Sequence, residues 1–194
     1  PTPTTSSAAS DVYKRQFGVP PQQLGIGASF RYKDWNASFL VEGKSGAQVF
    51  SGTNVRLIGY GLHQMTVPSG GREAGFVPDG VLEDGTPITQ SLDYTQQQNY
   101  WGRYNDVAEA GIYDSDYFRM RQMSVGYTFP KTMLEGTFIQ SASVSLIGKN
   151  LFFIHNSVPN VDPESAYNNS NSQGLEFAGM PVPTTVGINV NLKF

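Results

Sequence analysis

The chain has 194 residues, 13 Lys+Arg against 16 Asp+Glu, a net charge of −3 at pH 7, and no cysteine. That excludes a disulfide scaffold and thiolate metal sites or nucleophiles; with no Lys/Arg cluster, it also excludes a nucleic-acid surface. Only 15% of residues are charged while 12% are aromatic, and 21 Gly, 10 Tyr and 12 Phe point to β structure, in a secreted β protein or an outer-membrane barrel. No stretch approaches the roughly 18 apolar residues of a membrane helix.

The first sixteen residues have no apolar period of either kind: a Ser/Ala/Thr/Pro-rich stretch is followed by Asp11-Val12-Tyr13-Lys14-Arg15-Gln16. A secretory signal needs a basic start and then roughly 7–15 apolar residues, and neither is present. The hexapeptide DVYKRQ resembles the in-frame translation of a transposon-end adapter used to fragment DNA for sequencing; a natural disordered tail is the alternative. Residues 1–16 are expected to be a non-native or disordered segment, and residues 17–194 a fragment of a longer protein.

From there the dominant signal has period two, the mark of strands with unlike faces. Leu24, Ile26, Ala28, Phe30 and Tyr32 oppose Gly25, Gly27, Ser29 and Arg31. After Lys33-Asp34 the pattern resumes with Trp35, Ala37, Phe39 and Val41 against Asn36, Ser38 and Glu42, broken only by Leu40. A third run carries Met123, Val125, Tyr127 and Phe129 against Gln122, Ser124, Gly126 and Thr128. A fourth sets Ala142, Val144 and Leu146 against Ser141, Ser143 and Ser145, then loses phase near Ile147-Gly148-Lys149, where a bulge is expected. The last is the cleanest: Val186, Ile188, Val190, Leu192 and Phe194 alternate with Thr185, Gly187, Asn189, Asn191 and Lys193.

A soluble sandwich would also alternate, so the connections matter more. Strands one and two are joined by Lys33-Asp34, and three and four by the short segment from Pro130 to Phe138. About sixty residues separate strands two and three, and nearly thirty separate four and five. Short turns at one end and long loops at the other are the habit of outer-membrane barrels. Tyr32, Trp35, Tyr127, Phe129 and Phe194 fall at the short-turn ends, where an aromatic girdle would meet the membrane interface. The expectation is an all-β fold: about five antiparallel strands from the C-terminal portion of a large transmembrane up-and-down β-barrel with long extracellular loops.

Features that imitate chemistry are weak. Gly43-Lys44-Ser45 lacks the upstream glycine of a phosphate loop, since Ser38 stands there. His63 and His155 are not in metal-ligand spacing, and no metal site is expected. Asp114, Asp116, Asp162 and Glu164 could offer oxygens to Ca²⁺ but lack a full ligand spacing, so they read as solvated turns. Asn36-Ala37-Ser38 matches a glycosylation sequon inside a strand and is discounted. The stretch "YTQQQNYWGRYND" (94–106) interleaves Tyr94, Tyr100, Trp101 and Tyr104 with Gln and Asn. Aromatic faces with amides suit capture of a sugar or peptide, and equally suit packing of the loop onto a barrel rim.

Six stretches in order carry a resemblance: "LGIGASFRYKDWNASFLVEGKSGAQVFSGTN" (24–54), "GVLEDGTPITQ" (80–90), "YFRMRQMSVGYTFPKTML" (117–134), "VSLIGKNLFFI" (144–154), "VDPES" (161–165) and "PVPTTVGINVNLKF" (181–194). Together they resemble the end of the SusC/RagA family of TonB-dependent (TonB-linked) outer-membrane transporters. The resemblance implies import of glycan or peptide fragments across the outer membrane of a Gram-negative, Bacteroidota-like cell. It implies energy from the inner-membrane TonB complex acting through absent N-terminal parts, a SusD-like surface lipoprotein as partner, no enzymatic activity and no cofactor. Outer-membrane proteins also resemble this chain in ending on an aromatic strand that the assembly machinery reads by β-augmentation, so Val186, Ile188, Val190, Leu192 and Phe194 are the expected assembly signal. Two other readings share parts of the pattern: a passive outer-membrane β-barrel pore, and a secreted β-sandwich binding module.

Overall fold

The computed structural model describes residues 18–68, 70–82, 84–165 and 173–194; the expected non-native segment 1–16 lies outside the described residues. In chain order the elements are β1 (Gln22–Tyr32), β2 (Trp35–Ser45), β3 (Gln48–Ser51), α1 (Gly52–Gly59), α2 (Tyr94–Gly102), β4 (Ile112–Asp114), β5 (Tyr117–Thr128), α3 (Lys131–Leu134), β6 (Ser141–Asn156), β7 (Leu175–Glu176) and β8 (Thr185–Lys193). They form two units. One comprises described residues within 18–48, 114–165 and 180–194; the other, those within 49–113 and 173–179.

The first unit is a five-stranded antiparallel sheet in the order β1-β2-β5-β6-β8. Its register lines the alternating residues into rows. Phe30, Ala37, Val125, Leu146 and Ile188 lie side by side across the sheet, and so do Tyr32, Trp35, Tyr127, Val144 and Val190. On the other face Ser29, Ser38, Ser124, Ile147 and Gly187 form a row, and Ser38 and Ser124 share a hydrogen bond of 2.7 Å between their hydroxyls. The apolar face is open: Ile26, Phe30, Val125, Leu146 and Ile188 are exposed, Ile188 to 73%. A soluble sandwich would bury that face against a second sheet. An apolar face turned outward, with Ser, Asn and Gly on the other, is the wall of a membrane barrel seen from lipid and from a wet lumen.

The turns match this layout. Lys33-Asp34 closes the β1–β2 hairpin, with Lys33 at φ +52, the left-handed backbone that tight hairpin turns favour. At this end Trp35 meets Tyr127 at 5.0 Å and Tyr127 meets Phe129 at 5.3 Å between ring centres. Phe194 stacks on Phe138 at 5.6 Å, a ring outside the expected girdle list. At the opposite end the strands slip register. Two residues of β6, Asn150 and Leu151, oppose Arg121 alone, and Asn150 adopts φ +51. The expected bulge is therefore present, just beyond Lys149. β1 and β8 each have one edge without a partner among the described residues, and the sheet does not close on itself.

The second unit gives the long connections their own structure. Ser51 caps α1 by accepting the Asn54 N–H at 3.1 Å. Its hydroxyl donates to Glu176 at 2.6 Å, and Glu176 also takes Thr53 Oγ1 at 2.6 Å and the Gly179 N–H at 3.2 Å. Those bonds fasten β7 beside β3 in a small sheet of order β4-β3-β7, whose β3–β7 pair is parallel. Val49, Val55, Ile58 and Trp101 are its buried apolar residues.

Candidate functional site

The expected ligand stretch 94–106 is helical: α2 runs to Gly102 and a single 3₁₀ turn follows over Arg103–Asp106. Asp93 accepts the Gln96 N–H at 2.8 Å while Gln96 Oε1 accepts the Asp93 N–H at 3.0 Å, a reciprocal cap that starts α2. Helical spacing then separates the four aromatic candidates. Trp101 is 7% exposed and lies 5.0 Å from Tyr100, 5.3 Å from Tyr104 and 5.0 Å from Phe76 between ring centres. Burial, and then the hydrogen bond with Tyr104, raise the Tyr100 hydroxyl above its ordinary value. Tyr94, six residues before Tyr100 at the start of α2, is 81% exposed. It lines a cleft of about 300 Å³ together with Tyr60, Thr66, Gln97, Gln98 and Trp101. Charged side chains are missing from that lining. Phe76 and Tyr60 belong to the arrangement but come from distant stretches that show no local pattern.

A second cluster occupies the polar face of the sheet at its long-loop end. The β2–β5 pairing sets Glu42 opposite Arg119, with Arg121 at the bulge beside them. Arg119 donates to Asp162 at 2.7 Å and to Glu164 at 2.5 Å, and its guanidinium lies 3.9 Å over the Phe153 ring. Arg121 bonds Glu42 at 2.7 Å, Glu164 at 2.7 and 3.0 Å, and the Asn150 side chain at 2.9 Å. Tyr117 donates its hydroxyl to Glu164 at 2.8 Å. Burial alone would raise the Glu164 carboxyl, but hydrogen bonds from Arg121 and Tyr117, the Arg121 charge and the Arg119 bond hold it down to about 2. The reading of Asp162 and Glu164 as solvated turn residues is thereby corrected: "YFRMRQ" and "VDPES" meet as one ion-paired structure. Asp116 is likewise engaged, accepting from Ser45 Oγ at 2.7 Å and the Gly46 N–H at 2.8 Å.

Among the described residues no group of three or more His, Asp or Glu side chains is placed to hold a metal ion. His63 is buried, its Nδ1 accepting the Met65 N–H, and burial lowers its pKa; His155 bonds Ser157 on another element. Val186, Ile188, Val190 and Leu192 share the open apolar face of β8, and Phe194 continues their alternation just past its end.

The sheet, its open apolar face and its aromatic end define a section of the wall of a large transmembrane β-barrel. No family model matches the chain. Over 182 residues it is 24% identical to TonB-dependent receptor P3 of Formosa agariphila, covering 91% of this chain and 16% of that protein. The RagAB peptide importer in its closed-closed state shares the fold with a TM-score of 0.62 and 14% identity, over 93% of this chain and 18% of that one. The structure of the RagAB peptide transporter does so with a TM-score of 0.59 and 15% identity, over 91% of this chain and 17% of that one. Each likeness covers about nine-tenths of this chain and less than a fifth of the other, and at 14–15% identity the solved structures show a shared fold. The chain spans about a sixth of the length of the curated relative.

Proposed function

We propose that the chain is the C-terminal part of a SusC/RagA-type transporter that imports glycan or peptide fragments across the outer membrane. Energy comes from the inner-membrane TonB complex through parts outside this chain, and a SusD-like surface lipoprotein is the partner at the outer mouth. The observation that carries this reading is the five-stranded wall with its apolar face outward, joined to a likeness that runs along nine-tenths of the chain to a TonB-dependent receptor. Within the wall, β8 with Val186, Ile188, Val190, Leu192 and Phe194 is the segment that the assembly machinery binds. In the long loop, Tyr94 and Trp101 meet cargo in the aromatic cleft, while Tyr100 and Tyr104 hold Trp101 in place.

The experiment is a deletion of the full-length gene in its host, scored by growth on single glycans and peptides as carbon source. Loss of growth on one class, reproduced by removing TonB, is expected. Loss that TonB removal does not reproduce would mean a passive pore instead. Complementation with the Tyr94→Ala protein should raise the cargo concentration needed for half-maximal uptake and leave the amount of assembled barrel unchanged.

A further inference from the structure

The connection from β6 to β8 is tied to the sheet at both of its limbs. On the outgoing limb, Asp162 and Glu164 take Arg119 and Arg121 as described. On the returning limb, the Val182 N–H donates to Asp162 Oδ2 at 3.1 Å, Asn150 Nδ2 donates to the Pro183 carbonyl at 3.3 Å, and Thr184 Oγ1 donates to the Asn150 carbonyl at 2.8 Å. Asp162 therefore holds both limbs at once.

The outgoing limb is itself folded. Asp162 Oδ1 accepts the Glu164 N–H at 3.0 Å, and the Ser165 N–H donates to the Asp162 carbonyl at 2.9 Å. Asn156 takes the Val158 N–H at 3.1 Å and donates to the Val161 carbonyl at 3.3 Å, and Val158 is 1% exposed. Lifting this limb would strand Arg119, whose side chain is 5% exposed, without either carboxylate. An uncompensated buried charge is among the costliest defects a fold can carry. Arg121, more open, bridges the limb to Glu42 of β2, so the tie spans two strands of the wall.

We propose that residues 157–165 are a fixed ledge on the inner face of the barrel wall, clamped by Arg119 and Arg121. The clamp fixes this segment against β5 and does not let it swing as a gate. Arg121 and Glu164 are then positioning residues. This inference goes beyond the transport reading and does not require that cargo be identified.

The test uses the full-length protein in intact cells, treated with proteinase K, with cuts inside 157–165 mapped by mass spectrometry. Heat-modifiable migration reports barrel assembly in the same samples. The wild-type ledge should resist cleavage, while Glu164→Gln and Arg121→Met should each be cut roughly tenfold to a hundredfold faster with the barrel assembled. The double variant should be cut no faster than the worse single one, because partners in one ion pair do not add. Wild-type cleavage at the variants' rate would make the segment a gate and overturn the proposal. Unchanged cleavage in the single variants, or effects that simply add, would also overturn it. So would loss of the assembled barrel in Glu164→Gln, since the cluster would then hold the wall and not the ledge.

Discussion

Ser124 and Val125 are adjacent in β5 and face opposite media. Ser124 is bonded to Ser38 on the polar face, while Val125 sits between Ala37 and Leu146 on the open apolar face. An arginine at Val125 must carry its charge into hydrocarbon, at a cost of about 2–4 kcal/mol near the bilayer midplane. At Ser124 the same side chain reaches water. Val125→Arg should therefore lower the yield of assembled full-length barrel strongly and Ser124→Arg only weakly, as read by heat-modifiable migration. Equal losses would place both faces in the same environment. Val144 shares a row with the girdle residues Trp35 and Tyr127, so arginine there should cost less than at Val125. Glu164 makes a prediction of another kind. Its carboxyl is held down to about 2 from an ordinary value of 4.5. A depressed folded-state value gives stabilisation that is complete above 4.5 and is lost as pH falls through 2. Amide exchange protection of residues 157–165 should stay constant from neutral pH to about 5 and then fall in that acid window. A loss of protection between pH 6 and 7 would point to a different titrating group.

At the scale of elements, the five wall strands were legible because each meets lipid on one side and water on the other, which writes a period of two into the chain. The bulge was legible for the same reason: the phase breaks at Ile147-Gly148-Lys149, just before Asn150 takes its left-handed backbone. The second sheet, the helices and the ion cluster were not, because their causes are distant in sequence. Ser51 meets Glu176 across 125 positions, and Arg119 meets Asp162 across 43. Short helices such as α1 and α2 are marginal alone and owe their form to such contacts. The aromatic stretch was visible as composition, but which of its rings pack and which stays open depends on helical spacing and on Phe76. β8 carries an element-level prediction. Just past its end, the exposed Phe194 ring stacks on Phe138 and on no other ring among the described residues, so its loss removes little from an inserted barrel. If this strand is the assembly signal, Phe194→Ala should cut outer-membrane abundance and leave protease-sensitive material in the periplasm. Barrel that does insert should keep nearly the same heat resistance. Normal abundance with a weakened barrel would leave Phe194 an ordinary girdle residue.

For the whole molecule, the sheet has two unlike ends and therefore an orientation. Lys33-Asp34 and the segment from Phe129 to Gln140 turn the chain at one end, beside Trp35, Tyr127 and the Phe138–Phe194 stack. At the other end the chain makes its long excursions, one carrying α1 and α2, the other leaving β6 through residues 157–165 and returning to β8. In outer-membrane barrels short turns face the periplasm and long loops the exterior. Tyr94 and Trp101, which line the cleft, belong to the long connection between β2 and β5. Thr89, exposed ahead of α2, lies in the long connection between β2 and β5, and Glu135, exposed just after α3, lies in the short one between β5 and β6. Ser69 and Asn169, in the same long connections, lie outside the described residues and make poorer probes. In the full-length protein Thr89→Cys should react with a membrane-impermeant maleimide on intact cells, and Glu135→Cys only after the outer membrane is opened. The reverse pattern would invert the barrel and put the long connections, with the proposed capture residues, in the periplasm.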